Sequence, residues 1–474
     1  MDLPSSPVSG GSSPWELADS LSGSDGGSVR ETGAGDPAVA PKVWWAQKLM
    51  MHTATLGLMT PTLQNPVTCV SACTGSFAEG FVFEELDIPY TCLGMSEKCK
   101  PFQRFLQKNF TPKHLHESIS EQAEGSGCLL HPNEKCEMPR EPDFLCMGTP
   151  SNPYSRTRPK RFLCGSVKEH VSYQTTFEDA YSMLTKLEPR TAVMEQVDGF
   201  DLPFSMTEQE SPKQRFLEGL ADCQWTYGGY WIATLRLSAK IWLKINRERL
   251  YMVFFRKDTF TKDDVKSFVR LVTEITNLQK QEAPKSLESL MLSEDHEIFK
   301  TQMRSDEVKA LAADQLQGRA EGEQKWQQQI ATWRQDLKVP LGFRPFDKLR
   351  RPIQGISLNA RISAILNMVT AEKIGGDKRK SKDEILSAVS CTVVDVSQNP
   401  MRRNYTPSHG TNHTMCTSSV LVHLGKFRTV VPAEMMLWQG HNISRLTYPD
   451  SESNRTWRSL AGEGMALPSI GTVI

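Results

Sequence analysis

A chain of 474 residues with 39% hydrophobic and 23% charged side chains has room for two or three ordinary domains, or for one catalytic domain with an inserted lobe. Its 55 basic and 55 acidic residues give a formal net charge of zero, which excludes binding to nucleic acid through bulk charge and leaves only a local basic face for that purpose. Eleven cysteines stand without a CxxC pair, and no apolar run approaches the roughly 20 residues of a membrane span, so reduced thiols in an intracellular protein are expected, with no membrane partner.

Residues 1–41 are rich in Ser, Gly, Pro and Asp. With so little apolar surface to bury, they read as a disordered tail. The same stretch is poor in Arg and carries Asp2, Glu16 and Asp19, which argues against an organelle transit peptide and leaves the cytosol or the nucleus. From Pro66 short apolar runs alternate with helical stretches, the pattern of an α/β sheet. Val67 to Val70 reads as a strand, Phe77 to Leu86 as a helix, Tyr90 to Met95 as a second strand and Pro101 to Phe110 as a helix with its Pro near the start. Phe144 to Met147 and Ala192 to Met194 read as short buried strands. Tyr230 to Leu237 and Leu250 to Phe255 follow as strands, and Phe260 to Gln279 as an amphipathic helix. Residues 283–338 are charged and Gln-rich, with Trp326 and Trp333 seven apart, which predicts a pair of packed helices. The resulting division is a catalytic domain over 42–282, a helical insert over 283–345, a smaller lobe over 346–440, and a last segment, 441–474, returning to the first domain.

Chemistry enters at the first strand–turn–helix. A tight turn at a strand's carboxyl end lets backbone approach a nucleotide, and an acid about 20 residues later takes the ribose hydroxyls. Gly75 supplies the turn, and Glu97, 22 residues on, is the acid. Fewer glycines than a dinucleotide fingerprint fit a ligand without pyrophosphate. Cys128, His131 and Cys136 are metal-ligating side chains. No fourth ligand stands at a sensible spacing, so free loop thiols and no metal are expected.

The segment from Asp143 through Thr149-Pro150-Ser151-Asn152-Pro153 to Arg161 is a buried strand ending in a small polar residue held between prolines. It resembles the Pro-Cys motif of the cytosine carbon-5 DNA methyltransferases. Around it, Gly75 resembles that family's first motif, and Met194-Glu195-Gln196-Val197-Asp198-Gly199-Phe200 its Glu-Asn-Val motif. Asn246-Arg247-Glu248-Arg249-Leu250-Tyr251 resembles the paired-arginine motif. Arg428 to Pro432, Glu434 and Leu437-Trp438-Gln439-Gly440 resemble the end of the recognition region. Ala461-Gly462-Glu463-Gly464-Met465 resembles the last motif.

The resemblance implies a Rossmann-like S-adenosylmethionine-dependent methyltransferase sheet with a target-recognition lobe, and methyl transfer to carbon 5 of a cytosine flipped out of DNA. In that chemistry a thiolate attacks carbon 6 while a glutamate holds N3 protonated. Ser151 takes the nucleophile's position, Glu195 the N3 partner's, and Arg247 and Arg249 steady the base and the loop. Ala72, Thr74, Gly75, Ser76, Phe77, Glu97, Pro150, Gly462 and Met465 take the cofactor positions. Asp395 to Gln398, Arg402 and Arg403 fall in the recognition region. Several positions depart from the family: Ser151 for Cys, Gln196 for Asn, Ile245 for Gln, Cys73 for Gly and Glu463 for Asn, while Ser118 and Glu117 stand where an acid meets the adenine. A hydroxyl is a poor nucleophile without an adjacent base, so a pseudoenzyme binding cofactor and DNA, and a transfer-RNA methyltransferase, stand as alternatives. The oligomeric state does not follow from the sequence.

Overall fold

The computed structural model describes residues 43–58, 65–314, 321–407, 410–449 and 452–474; the tail expected over 1–41 lies outside them. The chain starts on α1 (Trp44–Thr55) and alternates through β1 (Val67–Ala72), α2 (Ala78–Glu85), β2 (Tyr90–Ser96), α3 (Lys100–Asn109), β3 (Leu115–His116), α4 (Ile119–Glu124), β4 (Phe144–Met147), α5 (Ala180–Leu187) and β5 (Thr191–Val197). Then come α6 (Pro212–Ala221), β6 (Tyr230–Ser238), β7 (Glu248–Arg256) and α7 (Lys262–Lys280). These strands form one seven-stranded sheet in the order β3-β2-β1-β4-β5-β7-β6. Neighbours from β3 through β5 are parallel, and β7 runs antiparallel between β5 and β6.

Side chains alternate across a strand, and here both faces are covered, so the strands read as unbroken apolar runs. Phe144 and Cys146 of β4 and Tyr251, Val253 and Phe255 of β7 join one core with α1, α2, α3 and α7. Leu145 and Met147, with Leu250, Met252 and Phe254, join the other with α4, α5 and α6. Each such fully buried side chain contributes about 1.5–3 kcal/mol, and a one-residue slip would exchange the two sets.

The second lobe holds α9 (Glu321–Asp336), α10 (Ala360–Lys373) and α11 (Lys382–Val389), with a small antiparallel sheet of β8 (Val393–Asp395), β9 (Leu421–His423) and β10 (Arg428–Thr429). Trp333, Leu366, Val369, Ile385, Val394 and Val422 form its core. Its predecessor α8 (Glu297–Asp314) lies instead on α12 (Pro432–Leu437) and α13 (Asn454–Glu463). The pairing expected over 283–338 is therefore replaced by two separate attachments. Phe299 and Met303, one turn apart on α8, pack on Val431, whereas Trp333 of α9 turns to α10 and donates its indole N–H to Glu372 at 2.8 Å. The chain ends on α14 (Leu467–Val473), which packs against α2 and α1.

Candidate active site

In an open α/β sheet ligands bind beyond the carboxyl ends of the strands where the strand order reverses. That point lies between β1 and β4. The turn after β1, the acid after β2 and the Gly148–Ser151 stretch after β4 all arrive there. The amide of Gly148 donates to Ala72 O at 3.0 Å and that of Thr74 to Ser96 O at 2.8 Å, which joins the three strand ends.

Gly75 has φ +56, and a Cβ placed on it would meet nothing within 4 Å: the turn borders open space. Glu97, 9% exposed, accepts the N–H groups of Gly75 at 2.8 Å and Cys99 at 2.7 Å. Burial raises its carboxyl, against the lowering effect of the Cys99, Gly75 and Lys98 amides. Thr74 Oγ1 and Ser76 Oγ are buried without a partner. Buried hydroxyls are normally satisfied, so this pair fits a polar ligand laid over the turn. Across the crevice, Met465 Cε lies 3.1 Å from where a Cβ on Gly148 would stand.

Phe77, Ala72 and Gly462, also expected at the cofactor, are held in place by packing. The ring of Phe77 is turned into the core, edge-on to Phe110 at 4.9 Å, so only its backbone, with φ +58, shapes the turn. Ala72 is buried beneath it. Gly462 gives room to the second lobe's loop: a Cβ there would fall 2.4 Å from the Cys416 carbonyl. Ser118 caps α4, its hydroxyl accepting the Glu121 amide at 3.1 Å.

On the reacting side, Gln196 is fully buried and its amide donates to Thr149 O at 3.0 Å and Thr149 Oγ1 at 2.7 Å. It thereby holds the backbone just before Pro150 and Ser151, a role its substitution for Asn did not reveal. Past Ser151 the loop folds inward: Ser151 O accepts the Tyr154 and Ser155 amides, each at 3.1 Å. The buried Arg161 donates to the carbonyls of Tyr154, Gly199, Pro203 and Phe204. Gly199 is required beside it, because a Cβ would sit 2.0 Å from Tyr154 O.

Glu195 is 7% exposed, and Arg249 Nε lies 2.6 Å from its Oε1. The pairing of Val197 with Arg249 and of Glu195 with Tyr251 makes these two diagonal neighbours on one sheet face. Arg247 is directed elsewhere. Its guanidinium donates to the carbonyls of Met415, Gly462, Glu463 and Gly464, and burial together with Arg249 pulls it down to about 9. Of the two arginines expected to steady the base and the loop, Arg249 meets the acid and Arg247 fastens two loops to the sheet. Cys146 is buried beside Glu79 on the face shared with α2, and that burial pushes its thiol well up. Arg402 of the second lobe reaches across to Thr157 O at 2.7 Å.

Glu463, where the family has Asn, adds a titration. Burial and the neighbouring Glu97 raise its carboxyl to about 7, against Ser459 and Arg247, although the side chain keeps contact with solvent. A carboxyl raised in the folded state favours folding while protonated, and this contribution fades as pH rises from its ordinary value through about 7. A cationic ligand prefers the ionised form. Affinity for S-adenosylmethionine is therefore expected to rise several-fold between pH 6 and pH 8, and Glu463→Gln to flatten the dependence. Calorimetric titrations at both pH values check this; equal slopes in native protein and variant would remove Glu463 from the site.

The family model described as C-5 cytosine-specific DNA methylase matches residues 71–468. Among solved structures, Dnmt2 methyltransferase of S. pombe is similar at 12% identity and a TM-score of 0.43, over 86% of this chain and 96% of that one. A mutant of Spodoptera frugiperda DNMT2 is similar at 11% identity and a TM-score of 0.41, over 85% and 97%. No curated protein sequence matches.

Proposed function

The chain belongs to the C-5 cytosine-specific DNA methylase family, whose match spans residues 71–468, and from that premise we propose that it methylates carbon 5 of cytosine in DNA within the nucleus. Members of the family take the methyl group from S-adenosylmethionine, and the unpartnered Thr74 and Ser76 hydroxyls beside the open Gly75 turn fit that ligand. When bound, the cofactor supplies an electrophilic methyl group. Glu97 takes the ribose side, and Met465 closes the crevice from the last segment. Glu195, kept in place by Arg249, presents its carboxyl to the base, and Ser151, on the loop that Gln196 fixes, stands where the attack on carbon 6 begins. Residues 42–282 form the catalytic domain; of the 283–345 insert, α8 lies on α12 and α13 while α9 joins the recognition lobe of 346–440, and 441–474 closes back onto the first domain.

The observation carrying this reading is the convergence of the β1 turn, Glu97 and the Thr149–Ser151 loop at the reversal of strand order. A second reading rests on Ser151 itself: a pseudoenzyme that binds cofactor and DNA without turnover. Calorimetry with S-adenosylmethionine tests the shared part. Binding is expected, and Glu97→Ala should weaken it by about tenfold to a hundredfold, because hydrogen bonds to charged groups are worth about 1.5–3 kcal/mol. Labelled methyl transfer to DNA and to transfer RNA separates the rest. Label in DNA supports the proposal, label in RNA alone overturns the choice of substrate, and binding without transfer supports the pseudoenzyme.

A further inference from the structure

Away from the crevice, on the edge of the sheet formed by β3, the structure brings together residues that local spacing leaves apart. His114 immediately precedes β3. Cys128, His131 and Cys136 lie on the long connection from α4 to β4. One ligand atom from each of the four lies within 4.8 Å of every other. Cys128 Sγ stands 3.5 Å from His131 Nδ1 and 3.9 Å from His114 Nδ1, and Cys136 Sγ stands 3.5 Å from His131 Nδ1. With Zn–S bonds of about 2.3 Å and Zn–N bonds of about 2.0–2.1 Å, a tetrahedral site has S···N edges of about 3.6 Å. The two separations at 3.5 Å match such an edge, and the one at 3.9 Å is slightly longer.

The backbone holds this arrangement without help from an ion. The Leu129 amide donates to Leu115 O at 2.7 Å, which lays the Cys128 segment along β3, and the Cys136 amide donates to Gly125 O at 2.8 Å. Gly125 ends α4 with φ +68, and a Cβ on it would fall 2.8 Å from Glu137 Cα, so the return of the loop depends on glycine here. Both cysteines are buried.

Hydrogen bonding alone does not account for the cluster. His131 Nδ1 has a single lone pair or a single proton, yet it faces two sulfurs. A cation satisfies all four donors together. Two thiolates and two neutral imidazoles cancel the charge of a divalent ion, which suits a buried position, and the soft sulfur and nitrogen donors select zinc over magnesium or calcium.

We propose that His114, Cys128, His131 and Cys136 bind one zinc ion as a closed structural site that fastens the β3 edge and the end of α4 to the segment leading into β4. Binding releases the thiol protons to solvent, and no bond to carbon forms or breaks. The site is separate from methyl transfer and does not rest on it.

The test uses the full chain, prepared under reducing conditions with zinc supplied and then desalted. Elemental analysis is expected to find about one zinc per chain, falling to background in Cys128→Ser and in His131→Ala. Because these variants can also lose their fold, His131→Cys serves as the rescue: it offers three sulfurs and one imidazole, a set zinc accepts, and should retain the metal and the native circular dichroism. Cobalt added to the metal-free native chain should give thiolate-to-metal charge-transfer absorption with tetrahedral ligand-field bands, absent in Cys128→Ser. Chelation should lower the melting temperature, with recovery on adding zinc and none on adding magnesium. Less than about a tenth of an equivalent of zinc in native protein, full zinc retention in Cys128→Ser, or a Cys128–Cys136 disulfide in the reduced preparation would overturn the proposal.

Discussion

Glu434→Ala is expected to destabilise the protein by about 3–5 kcal/mol, because it leaves a guanidinium buried without its counter-charge. Arg428 and Glu434 are both fully buried. They meet through two parallel hydrogen bonds, Nη1 to Oε2 at 2.9 Å and Nη2 to Oε1 at 2.8 Å, the fork geometry that suits arginine to carboxylate. Both Arg428 Nη atoms and both Glu434 oxygens are engaged, and only the buried Arg428 Nε lacks a hydrogen-bond partner. Glu434 also accepts the amides of Leu292 at 2.9 Å and Val431 at 3.0 Å. Arg428 also donates to Thr429 O and lies over the Phe299 ring at 4.4 Å. The pair thus joins the segment before α8 to the passage from β10 into α12, where the chain leaves the second lobe. Urea denaturation monitored by fluorescence measures the loss. Arg428→Ala should cost a similar amount, since it strands the carboxylate instead. Arg428→Met combined with Glu434→Leu should recover much of it, because apolar replacements leave no uncompensated charge. An unfolding midpoint unchanged in Glu434→Ala would show that water reaches the pair.

Much of the fold was legible because burial on both faces writes strands as apolar runs. Val67 to Val70, Tyr90 to Met95 and Phe144 to Met147 all fall within observed strands. β3 was not legible: at two residues, Leu115 and His116, it is too short to display a period. Missing it also hid the metal cluster, since His114 reaches Cys128 only across β3 and α4 and no spacing argument counts through a strand. The turn residue Gly75 and the acid Glu97 could be read from their separation, because the sheet fixes the distance between adjacent strand ends. Phe77 could not. An aromatic at a helix start looks the same in sequence whether it faces a ligand or the core, and only the structure shows its φ of 58 and its ring against Phe110 and Tyr90. Arg249 lies on β7 and Arg247 just before it, and their nearness was readable. Their different partners were not, because the carbonyls of Met415 and of 462–464 come from segments far along the chain. The helices α8 and α9 carry few apolar residues, so their composition marks them as helices without saying which surface each one covers.

Ser151→Cys is expected to raise methyl transfer by about two orders of magnitude or more over a slow native rate, because it exchanges a hydroxyl for a far more acidic and nucleophilic thiol. The substitution keeps size and position nearly constant. Gln196 holds Thr149, and the Ser151 carbonyl takes the Tyr154 and Ser155 amides, so the loop should not move. Among the described residues around Ser151, the charged groups assigned to the site are Glu195 and Arg249, and they are engaged with each other. Cys146 does not substitute: burial pushes its thiol well above the usual range and it faces α2. The measurement is transfer of labelled methyl to DNA by native protein and variant in parallel. A DNA carrying 5-fluorocytosine should be captured covalently by the variant and scarcely by native protein. The gain should vanish when Glu195→Gln is added, because the attack needs N3 protonated as well as a nucleophile at carbon 6. Strong native activity that survives Ser151→Ala would remove Ser151 from the reaction. Inactivity of Ser151→Cys with cofactor and DNA still bound would assign the loss to the other departures, Gln196 and Glu463 first among them, since Gln196 holds Thr149 before the loop and Glu463 lies beside Glu97.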